Sequence, residues 1–412
     1  MRAATSRWVH RWLVRLALAG DPVDGLRHRL LWPATVLDPR TVGVLLGMRR
    51  SARLTTPLLD TARTGAYAAV WRDAAQAAGA RVELGPGGTL RLDRDGHCVE
   101  LGSNLVPLDG QEALATAGDK WATRRLLRDS GVPTPRAVRV GPHATGPAFD
   151  LLAATGRCVV KPARDTGGGL GVVCDVRTPG ELVRALVAAG RWSRDVLVEE
   201  QLDGAELRVL VLDGRVVGAV RRYRPVVVGD GVSSVAALVV AENWRRVLAH
   251  GADGQWGIAP DLDTQLAVRH AGLRLTSVPA AGRRVTVKGA ASATAGHDHE
   301  TVTVGGPLEA DVLRSVDALG LRWAAVELIT PDPSRSLCSA GGAVIEVNST
   351  PGLLYHYQVR EVATRVPVAR AVVETLMRES PRRPLATPRR PVDDAVPGAS
   401  PGELRPGAGP QR

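Results

Sequence analysis

The sequence is poor in aromatic residues and in long apolar runs, and each shortage excludes a class of protein. Aromatic residues make up 3% of the 412 residues, and no basic run is interleaved with Tyr or Phe. The formal net charge of +11 therefore does not indicate a nucleic-acid-binding surface. The apolar stretch "RWLVRLALAG" at residues 11–20 is interrupted by two arginines, so it predicts an amphipathic helix rather than a signal peptide or a membrane span.

Cysteine is also scarce. The four cysteines are Cys98, Cys158, Cys174 and Cys338, which lie far apart and form no CxxC pair. This spacing matches neither a zinc site nor a disulfide framework. A reducing cytoplasm is therefore the expected compartment.

Lysine is the rarest of the charged residues. Of 53 basic residues only Lys120, Lys161 and Lys288 are lysines, so the basic composition is strongly biased towards arginine. A compact ammonium approaches a phosphate as a point charge, which the planar guanidinium does not replace. Two of the three lysines begin motifs that are described below.

The two ends of the chain differ in composition. Near the N-terminus, residues 56–84 predict a helix that ends at Gly79 and is followed by a strand. The alternating segment that follows turns at Asp95–Gly96, which is a hairpin signal. The last 32 residues carry eight prolines and few apolar side chains, which predicts a disordered tail.

Strands and helices alternate through the middle of the chain. A helix is predicted from about Asp119 to Ser130. A second helix is predicted after Thr178, with Glu181 completing a capping box. A hairpin is predicted at Asp213–Gly214. The alternation indicates an α/β or α+β fold.

A glycine-rich loop lies in "VVKPARDTGGGLGVV", residues 159–173. Its glycines stand between two strands, whereas a Rossmann turn places them at the start of a helix, and no GK[ST] motif indicates a P-loop. A hairpin flap with almost no side chains can close its backbone N–H groups over phosphate oxygens. Lys161 enters the loop and could reach the same phosphates. The alternative is a loose surface hairpin with an incidental lysine.

Two apolar segments, "AAVELIT" and "AVIEVNSTPG", carry oxygen ligands. In a strand, the period of two places Glu346 and Asn348 on one face. Glu327 supplies a further carboxylate if the two strands are neighbours. Such a set suits Mg²⁺, which takes carboxylates and substrate phosphates. The alternative is that Glu346 is an ion-paired carboxylate within a sheet.

A third segment, "VLVEEQLDGAEL", runs from a strand through two carboxylates into a turn. It would suit a hinge whose backbone hydrogen-bonds an adenine edge, with Glu206 placed to accept hydrogen bonds from ribose hydroxyls. The ends of surface strands often have the same pattern.

Taken in order, these segments resemble the ATP-grasp superfamily, and within it the cyanophycin synthetase-like ligases. The resemblance covers residues 115–365 and includes "DKWATRRLLRDSGVPTP", "VVVGDGVSSVAALV" and "VPAAGRRV". It implies an α/β (α+β) fold of the ATP-grasp type, in which a nucleotide is held between two α+β subdomains. The implied domains are an N-terminal α/β pre-ATP-grasp and substrate domain (1–117), a central subdomain (118–204) and a C-terminal subdomain (205–378), with the tail at 379–412.

The resemblance also assigns roles to individual residues. The nucleotide-binding residues it implies are the phosphate lysines, the closing loop, the adenine hinge and the ribose acceptor, that is Lys120, Lys161, Gly167, Gly168, Gly169, Gly171, Glu199, Glu200, Gln201, Leu202 and Glu206. The implied magnesium ligands, which could also hold Mn²⁺, are Glu327, Glu346 and Asn348. The implied catalytic arginines near the substrate are Arg208, Arg221 and Arg222.

The sequence departs from the family pattern at two places. Glu327 stands where Asp is more usual, and Ser292 stands at an Asn position near the nucleotide. Three histidines lie near these motifs. His297 and His299 are predicted to lie in a solvated loop, whereas His356 is better placed to touch substrate.

The function implied is that of an ATP-dependent carboxylate–amine ligase. It would join amino acids or small peptides through an acylphosphate, releasing ADP and phosphate, and no nucleophilic side chain is needed because the protein only neutralises and aligns phosphates. A carboxylate kinase, a carboxylate–thiol ligase and an inactive nucleotide-binding module are the alternatives. No nucleic acid or membrane partner is expected, and a homo-oligomer remains open.

Overall fold

In the computed structural model, the described residues are 31–85, 89–102, 104–141, 144–164, 166, 168–248, 257–291 and 298–379. The predicted helix at 11–20, most of the predicted tail, and the positions Gly167, Ser292 and His297 lie outside them. No helix within the described ranges is long and apolar enough to cross a bilayer.

The mixed α/β class predicted from the sequence is confirmed. The helices, in chain order, are α1 (Val42–Ala77), α2 (Gln111–Gly118), α3 (Lys120–Asp129), α4 (Gly146–Thr155), α5 (Pro179–Gly190), α6 (Val235–Leu248), α7 (Leu262–His270), α8 (Gly306–Asp317), α9 (Leu337–Ala340), α10 (Leu354–Tyr357) and α11 (Val368–Glu379). Short 3-10 helices span Trp32–Thr35, Pro39–Thr41 and Val362–Thr364.

The strands form four sheets. In chain order they are β1 (Arg81–Leu84), β2 (Leu90–Arg94), β3 (His97–Leu101), β4 (Ala137–Val140), β5 (Cys158–Pro162), β6 (Val173–Val176), β7 (Val196–Glu200), β8 (Ala205–Leu212), β9 (Arg215–Arg222), β10 (Val226–Val228), β11 (Arg284–Thr286), β12 (His299–Thr301), β13 (Trp323–Thr330) and β14 (Ala343–Asn348). The strand orders are β1-β2-β3, β4-β7-β5-β6, β12-β9-β8-β13-β14 and β10-β11.

Local sequence signals explain several of these elements. Helix α3 starts where predicted, because the Asp119 carboxylate accepts hydrogen bonds from the N–H groups of the first turn. The capping box that starts α5 is present, with Thr178 and Glu181 hydrogen-bonded reciprocally. Asp95–Gly96 and Asp213–Gly214 have positive φ angles at both positions, as tight hairpin turns require.

Helix α1 begins earlier than the sequence predicted. It starts at Val42 rather than near residue 56 and continues through Pro57 to Ala77. Its N-terminal half packs on α6 in the core that surrounds β10 and β11, and its C-terminal half packs on α11 and the β1–β3 sheet. This packing keeps the helix continuous despite the internal proline.

The two larger sheets have separate cores. The four-stranded sheet packs against α4, α5 and α7. One face of the five-stranded sheet packs against α8, through side chains such as Val209 and Val326. Its other face packs against α1 and α11 through Leu210 and Trp323, but only along part of the strands. Since side chains alternate, the same face carries Arg208 and Glu327 further along the strands.

The domain boundaries predicted from the sequence, 1–117, 118–204 and 205–378, remain predictions.

Candidate active site

A cleft of about 470 Å³ lies between the four-stranded and five-stranded sheets. Both sheets contribute charged side chains to it. Of the residues predicted from the sequence, the following line this cleft: Lys120, Lys161, Gly168, Gly169, Glu199, Glu200, Gln201, Leu202, Glu206, Arg208, Arg222, Glu327, Glu346 and Asn348. The fold therefore brings together side chains that are up to 228 residues apart, from Lys120 to Asn348.

Lys161 is held at the wall of the cleft by a buried ion pair. It lies on β5 beside β7, and its Nζ is 2.8 Å from Oε2 of Glu199. The Nζ also donates to the carbonyl oxygen of Ile345, 3.1 Å away on β14. Glu199 makes a second ion pair with Arg124 of α3. The ammonium thus bridges the two sheets.

Glu199 is 3% exposed, and its positively charged partners keep its carboxylate ionised. Burial alone would raise its pKa, but the charges of Lys161 and Arg124 outweigh burial and hold the pKa below its usual value. The Glu199 side chain holds Lys161 in position through their ion pair. Any hinge function of Glu199 therefore falls to its backbone.

Lys120 starts helix α3 and also lines the cleft. Its Nζ lies 3.2 Å from Oε1 of Glu346 and donates to the carbonyl oxygen of Thr166 at 3.3 Å. Thr166 lies in the glycine-rich loop. Lys120 therefore contacts both the loop and a carboxylate that was predicted to bind metal.

The glycine loop connects two antiparallel strands, β5 and β6, as predicted. Gly168 and Gly169 line the cleft and have φ angles of 62° and 75°, which favour glycine. Gly171, with φ 74°, is not among the residues lining the cleft. A Cβ at this position would lie 2.6 Å from Cδ1 of Trp192 and 2.9 Å from Cγ of Pro162. The close approach of Trp192 and Pro162 therefore explains why residue 171 is a glycine.

The three predicted metal ligands share one face of the five-stranded sheet. Strands β13 and β14 are antiparallel neighbours, with Glu327 opposite Glu346 and Ala325 opposite Asn348. The Asn348 amide nitrogen donates to Oε1 of Glu327 at 3.1 Å, so its own oxygen stays available. The sequence analysis placed Glu327 near Glu346 and Asn348 on the condition that their two strands are neighbours. Strands β13 and β14 meet this condition.

Two arginines surround Glu327. Arg208 of β8 and Arg222 of β9 both form ion pairs with its carboxylate, and Arg222 also pairs with Glu206. Burial would raise the pKa of Glu327, but the two guanidinium charges lower it below the usual value. Arg208 also stacks on Tyr355, with 4.9 Å from its guanidinium carbon to the ring centroid.

These oxygen donors fit a divalent cation of the magnesium type. Glu346 and Asn348 offer one carboxylate and one amide oxygen on the same face of β14, and Glu327 is adjacent. No group of three or more His, Cys, Asp or Glu within the described residues forms a site for a metal. Glu346 and Asn348 would supply two oxygen ligands, and the other coordination positions would fall to phosphate and water, which is how Mg²⁺ is commonly bound.

Arg221 is not brought to this cleft. It is exposed, lies opposite Glu300 of β12 in the register, and stacks on Tyr223 at 5.0 Å. Because successive strand residues point to opposite faces, Arg221 and Arg222 cannot share one site. The structure places Arg208 and Arg222 together and leaves Arg221 outside.

Of the three histidines singled out from the sequence, His299 and His356 lie within the described residues, and both are buried. His299 begins β12, is 1% exposed and contacts the Gln358 carbonyl through Nδ1, so its predicted place in a solvated loop was wrong. His356 is fully buried and does not line the cleft, so the structure does not place it where it could touch substrate. Neither of its ring nitrogens has a hydrogen-bond partner in the described part of the chain. Burial, with Arg208 and His299 nearby, lowers its pKa to about 3.

Two groups of residues were missed by sequence reasoning. The first comes from the N-terminal part, where Arg63, Thr64 and Tyr67 of α1 and Asn104 line the cleft. The second is Asp263, whose carboxylate accepts hydrogen bonds from the N–H groups of Cys174 and Gly289 at 2.9 Å each. Asp263 pairs with Lys288, at 3.2 Å. The rarity of lysine was the available signal for this second group.

Sequence comparison finds relatives for about two thirds of the chain. No family model matches the chain. Cyanophycin synthetase from Nostoc sp. is 33% identical over 265 residues, which cover 63% of this chain and 29% of that protein. Over these residues the chain is similar in sequence to cyanophycin synthetase. The bifunctional glutathione biosynthesis protein GshAB from Mannheimia succiniciproducens is 29% identical over 281 residues, covering 65% of this chain and 36% of that protein.

This homology confirms the resemblance inferred from the sequence motifs. The chain spans about a third of the length of these curated relatives. Among solved structures, a bifunctional glutathione synthetase from Pasteurella multocida is 24% identical, with a TM-score of 0.45, covering 73% of this chain and 42% of that one.

Proposed function

We propose that this protein is an ATP-dependent carboxylate–amine ligase that joins amino acids or small peptides through an acylphosphate and releases ADP and phosphate. The convergence of Lys120, Lys161 and the Glu327–Glu346–Asn348 set on one cleft is the observation that carries the proposal. Homology to ATP-dependent amide-bond ligases supports the same reaction class.

The proposed reaction has two steps. A substrate carboxylate oxygen forms a bond to the γ-phosphorus of ATP, the bond to the β-phosphate oxygen breaks, and ADP leaves. The amine nitrogen then attacks the acyl carbon, phosphate leaves, and the proton of the amine passes to solvent. Neither step needs a nucleophilic side chain, so the protein contributes positioning and charge stabilisation.

The residues of the cleft have separate roles in this proposal. Lys120 and Lys161 neutralise the phosphates, and the N–H groups of the loop at Gly168 and Gly169 close over them. The backbone of residues 199–202 hydrogen-bonds the adenine, and Glu206 accepts from the ribose. Arg208 and Arg222 stabilise the charge that develops on the acylphosphate. Arg221 lies outside the cleft and has no role in the proposal.

Glu346, Asn348 and Glu327 would hold Mg²⁺ or Mn²⁺, which, when bound, neutralises phosphate oxygens and orients the γ-phosphoryl group. The fit rests on Glu346 and Asn348 sharing one face of β14 and on Glu327 lying opposite Glu346 on β13, with all three lining the cleft. A cytoplasmic location is part of the proposal, and the four unpaired cysteines support it.

The test is phosphate release from ATP with pools of amino acids and hydroxylamine. Formation of a hydroxamate shows that a carboxylate has been activated. A mass-spectrometric survey of products from mixed amino acids then identifies the amide. Absence of both phosphate release and hydroxamate with every acid would contradict the proposal and favour an inactive nucleotide-binding module. An acylphosphate that no amine accepts would favour a carboxylate kinase, and a thioester product a carboxylate–thiol ligase.

A further inference from the structure

Arg224 lines the cleft but has no role in the reaction as proposed above. It lies two residues beyond Arg222, the last residue of β9, and its side chain is exposed. Side chains two residues apart in an extended chain share one face, and both Arg222 and Arg224 line the cleft. Arg221 belongs to the other face. The cleft therefore contains a further guanidinium beside those already assigned.

Arg224 differs from the other cations of the cleft in its charge balance. Each of the others that the structure describes has a carboxylate oxygen within 3.2 Å. These paired cations are Arg63, Lys120, Lys161, Arg208 and Arg222. Arg224 has neither an ion pair nor a hydrogen bond to any residue in the described part of the chain. An anion that binds Arg224 therefore breaks no existing ion pair.

The backbone on both sides of Arg224 is fixed by neighbouring segments. The N–H of Tyr223 donates to the carbonyl oxygen of Asp298 at 2.8 Å, and the carbonyl oxygen of Pro225 accepts from the N–H of Val287 at 2.9 Å. A residue that precedes proline is also restricted to extended conformations. The main chain thus holds Arg224 at the cleft, while its exposed side chain remains available to a ligand.

Arg224 lies near the end of the glycine loop. Burial raises the pKa of the Cys174 thiol well above its usual value, and Arg224 is close enough to act in the opposite direction. Cys174 is the second residue of β6, the strand into which the loop leads, and it also lines the cleft. Glu206, the proposed ribose acceptor, acts on the same thiol. Arg224 is therefore placed between the ribose end of the cleft and the loop that covers the phosphates.

This position and charge suit a phosphate group. A guanidinium binds phosphate oxygens through two parallel hydrogen bonds. A triphosphate carries several negative charges, whereas the charges of Lys120 and Lys161 are already shared with Glu346 and Glu199. A cation without a carboxylate partner is then the one whose full charge is available to the nucleotide.

We propose that Arg224 binds a phosphate group of the nucleotide and supplies positive charge that no carboxylate of the cleft compensates. It is then a nucleotide-binding residue in addition to the two lysines. This inference rests on the proposed ligase function and deepens it, because it names a further residue through which the cleft recognises the phosphate chain.

The experiment measures binding of the non-hydrolysable ATP analogue AMP-PNP with Mg²⁺ to the full chain by calorimetry, without acid or amine. The variants are Arg224→Gln, Arg224→Lys and the control Arg221→Gln, which removes the same charge from an exposed arginine outside the cleft. We expect Arg224→Gln to weaken binding about tenfold or more, because a charge-assisted hydrogen bond is lost. Arg224→Lys should be intermediate, and Arg221→Gln should stay within about twofold of the wild type.

Adenosine separates a phosphate contact from a change in the shape of the cleft. Its affinity is measured by competition with AMP-PNP for the wild type and for Arg224→Gln. We expect the two affinities for adenosine to agree within about twofold, because adenosine has no phosphate for Arg224 to bind. Thermal unfolding of each variant shows whether it is folded.

Three results overturn the inference. They are equal affinity of the wild type and Arg224→Gln for AMP-PNP, a parallel loss of affinity for adenosine in Arg224→Gln, and an equal loss of affinity for AMP-PNP in Arg221→Gln. In each case binding of AMP-PNP and hydroxamate formation by the wild type keep the proposed ligase function. A wild type that neither binds AMP-PNP nor forms a hydroxamate overturns the ligase function itself, so the two failures are distinguishable.

Discussion

The ammonium of Lys120 lies 3.2 Å from the carboxylate of Glu346, and this pair joins the start of α3 to strand β14 across the cleft. Both side chains are partly exposed, at 14% and 30%. In the proposed reaction Lys120 contacts phosphate and Glu346 contacts the divalent cation. Binding of a nucleotide and its metal would therefore have to break this ion pair.

Because the Lys120–Glu346 pair is partly exposed, we expect its loss to affect turnover much more than stability. We expect Glu346→Gln to reduce phosphate release by at least about 100-fold, because a charge that stabilises the transition state is lost. The free energy of unfolding should change by less than about 1 kcal/mol, because partly exposed ion pairs contribute little. Urea denaturation and phosphate release measure the two quantities.

The control for Glu346→Gln is Glu374→Gln, which removes one carboxylate from an exposed pair with Arg370 on α11. It should leave both phosphate release and stability close to the wild type. Retained turnover in Glu346→Gln would contradict the assignment of Glu346 to metal binding.

Lys161 differs from Lys120 because it is buried. Lys161→Met leaves the Glu199 carboxylate with Arg124 as its remaining charged partner and removes the hydrogen bond to Ile345. We expect a loss of about 1–3 kcal/mol in the free energy of unfolding, which is less than for a fully unpaired buried charge. KM for ATP should rise as well.

Lys161→Arg tests which property of the lysine matters. It keeps the charge beside Glu199, so most of the stability should return, whereas ATP affinity should not, because the compact ammonium is lost. Equal recovery of both would show that charge alone is required. Urea denaturation and initial rates at varied ATP concentrations give the comparison.

Two glycines with the same backbone conformation provide a matched pair. Gly156 and Gly171 have φ angles of 72° and 74°, but a Cβ at Gly156 meets no atom within 4 Å, whereas one at Gly171 lies 2.6 Å from Trp192. Gly156→Ala should cost about 1 kcal/mol for the left-handed conformation alone. Gly171→Ala should cost clearly more, and equal losses would show that the Trp192 contact is easily relieved.

His356 makes stability depend on pH in the weakly acidic range. Its folded-state pKa of about 3 lies below the usual histidine value, so the unfolded chain binds a proton first as the pH falls. The contribution of the neutral buried ring is complete above the unfolded pKa of about 6.5 and is lost as the pH falls towards 3. Between pH 7 and pH 5 it should amount to about 2 kcal/mol.

The variant His356→Leu should flatten this part of the profile, because its side chain does not titrate. Chemical denaturation of the wild type and the variant at pH 5, 6 and 7 measures the difference. Parallel profiles for the two proteins would show that another group is responsible.

The sequence predicted much of the site because strand periodicity fixes which side chains share a face. The two-residue spacing placed Glu346 and Asn348 together, and the structure confirms this. The same rule separates Arg221 from Arg222, so the sequence alone could have excluded that both reach one site. Periodicity did not determine that β13 lies beside β14, because strand order depends on long-range packing.

Other parts of the site had no local signal. Arg63 and Tyr67 reach the cleft only because α1 packs against Leu210 and Trp323 of the five-stranded sheet, which lie 143 and 256 residues beyond Tyr67 in the sequence. The strand that His299 begins pairs with β9, and neither its partner nor its burial follows from the short polar sequence around it. Tertiary packing overrides local propensity at such positions.

Helix α1 shares an apolar core with β13 and α11, which limits the exchange of N-terminal segments between relatives. Trp71 of α1 packs in one apolar cluster with Trp323 of β13 and Leu376 of α11, so the N-terminal helix is an integral layer of the C-terminal part. A chimera that imports this helix from a relative must also match the indole of Trp323 and the adjoining side chains. Point changes on the turn of α1 that lines the cleft should therefore disturb the fold less than swapping whole N-terminal segments.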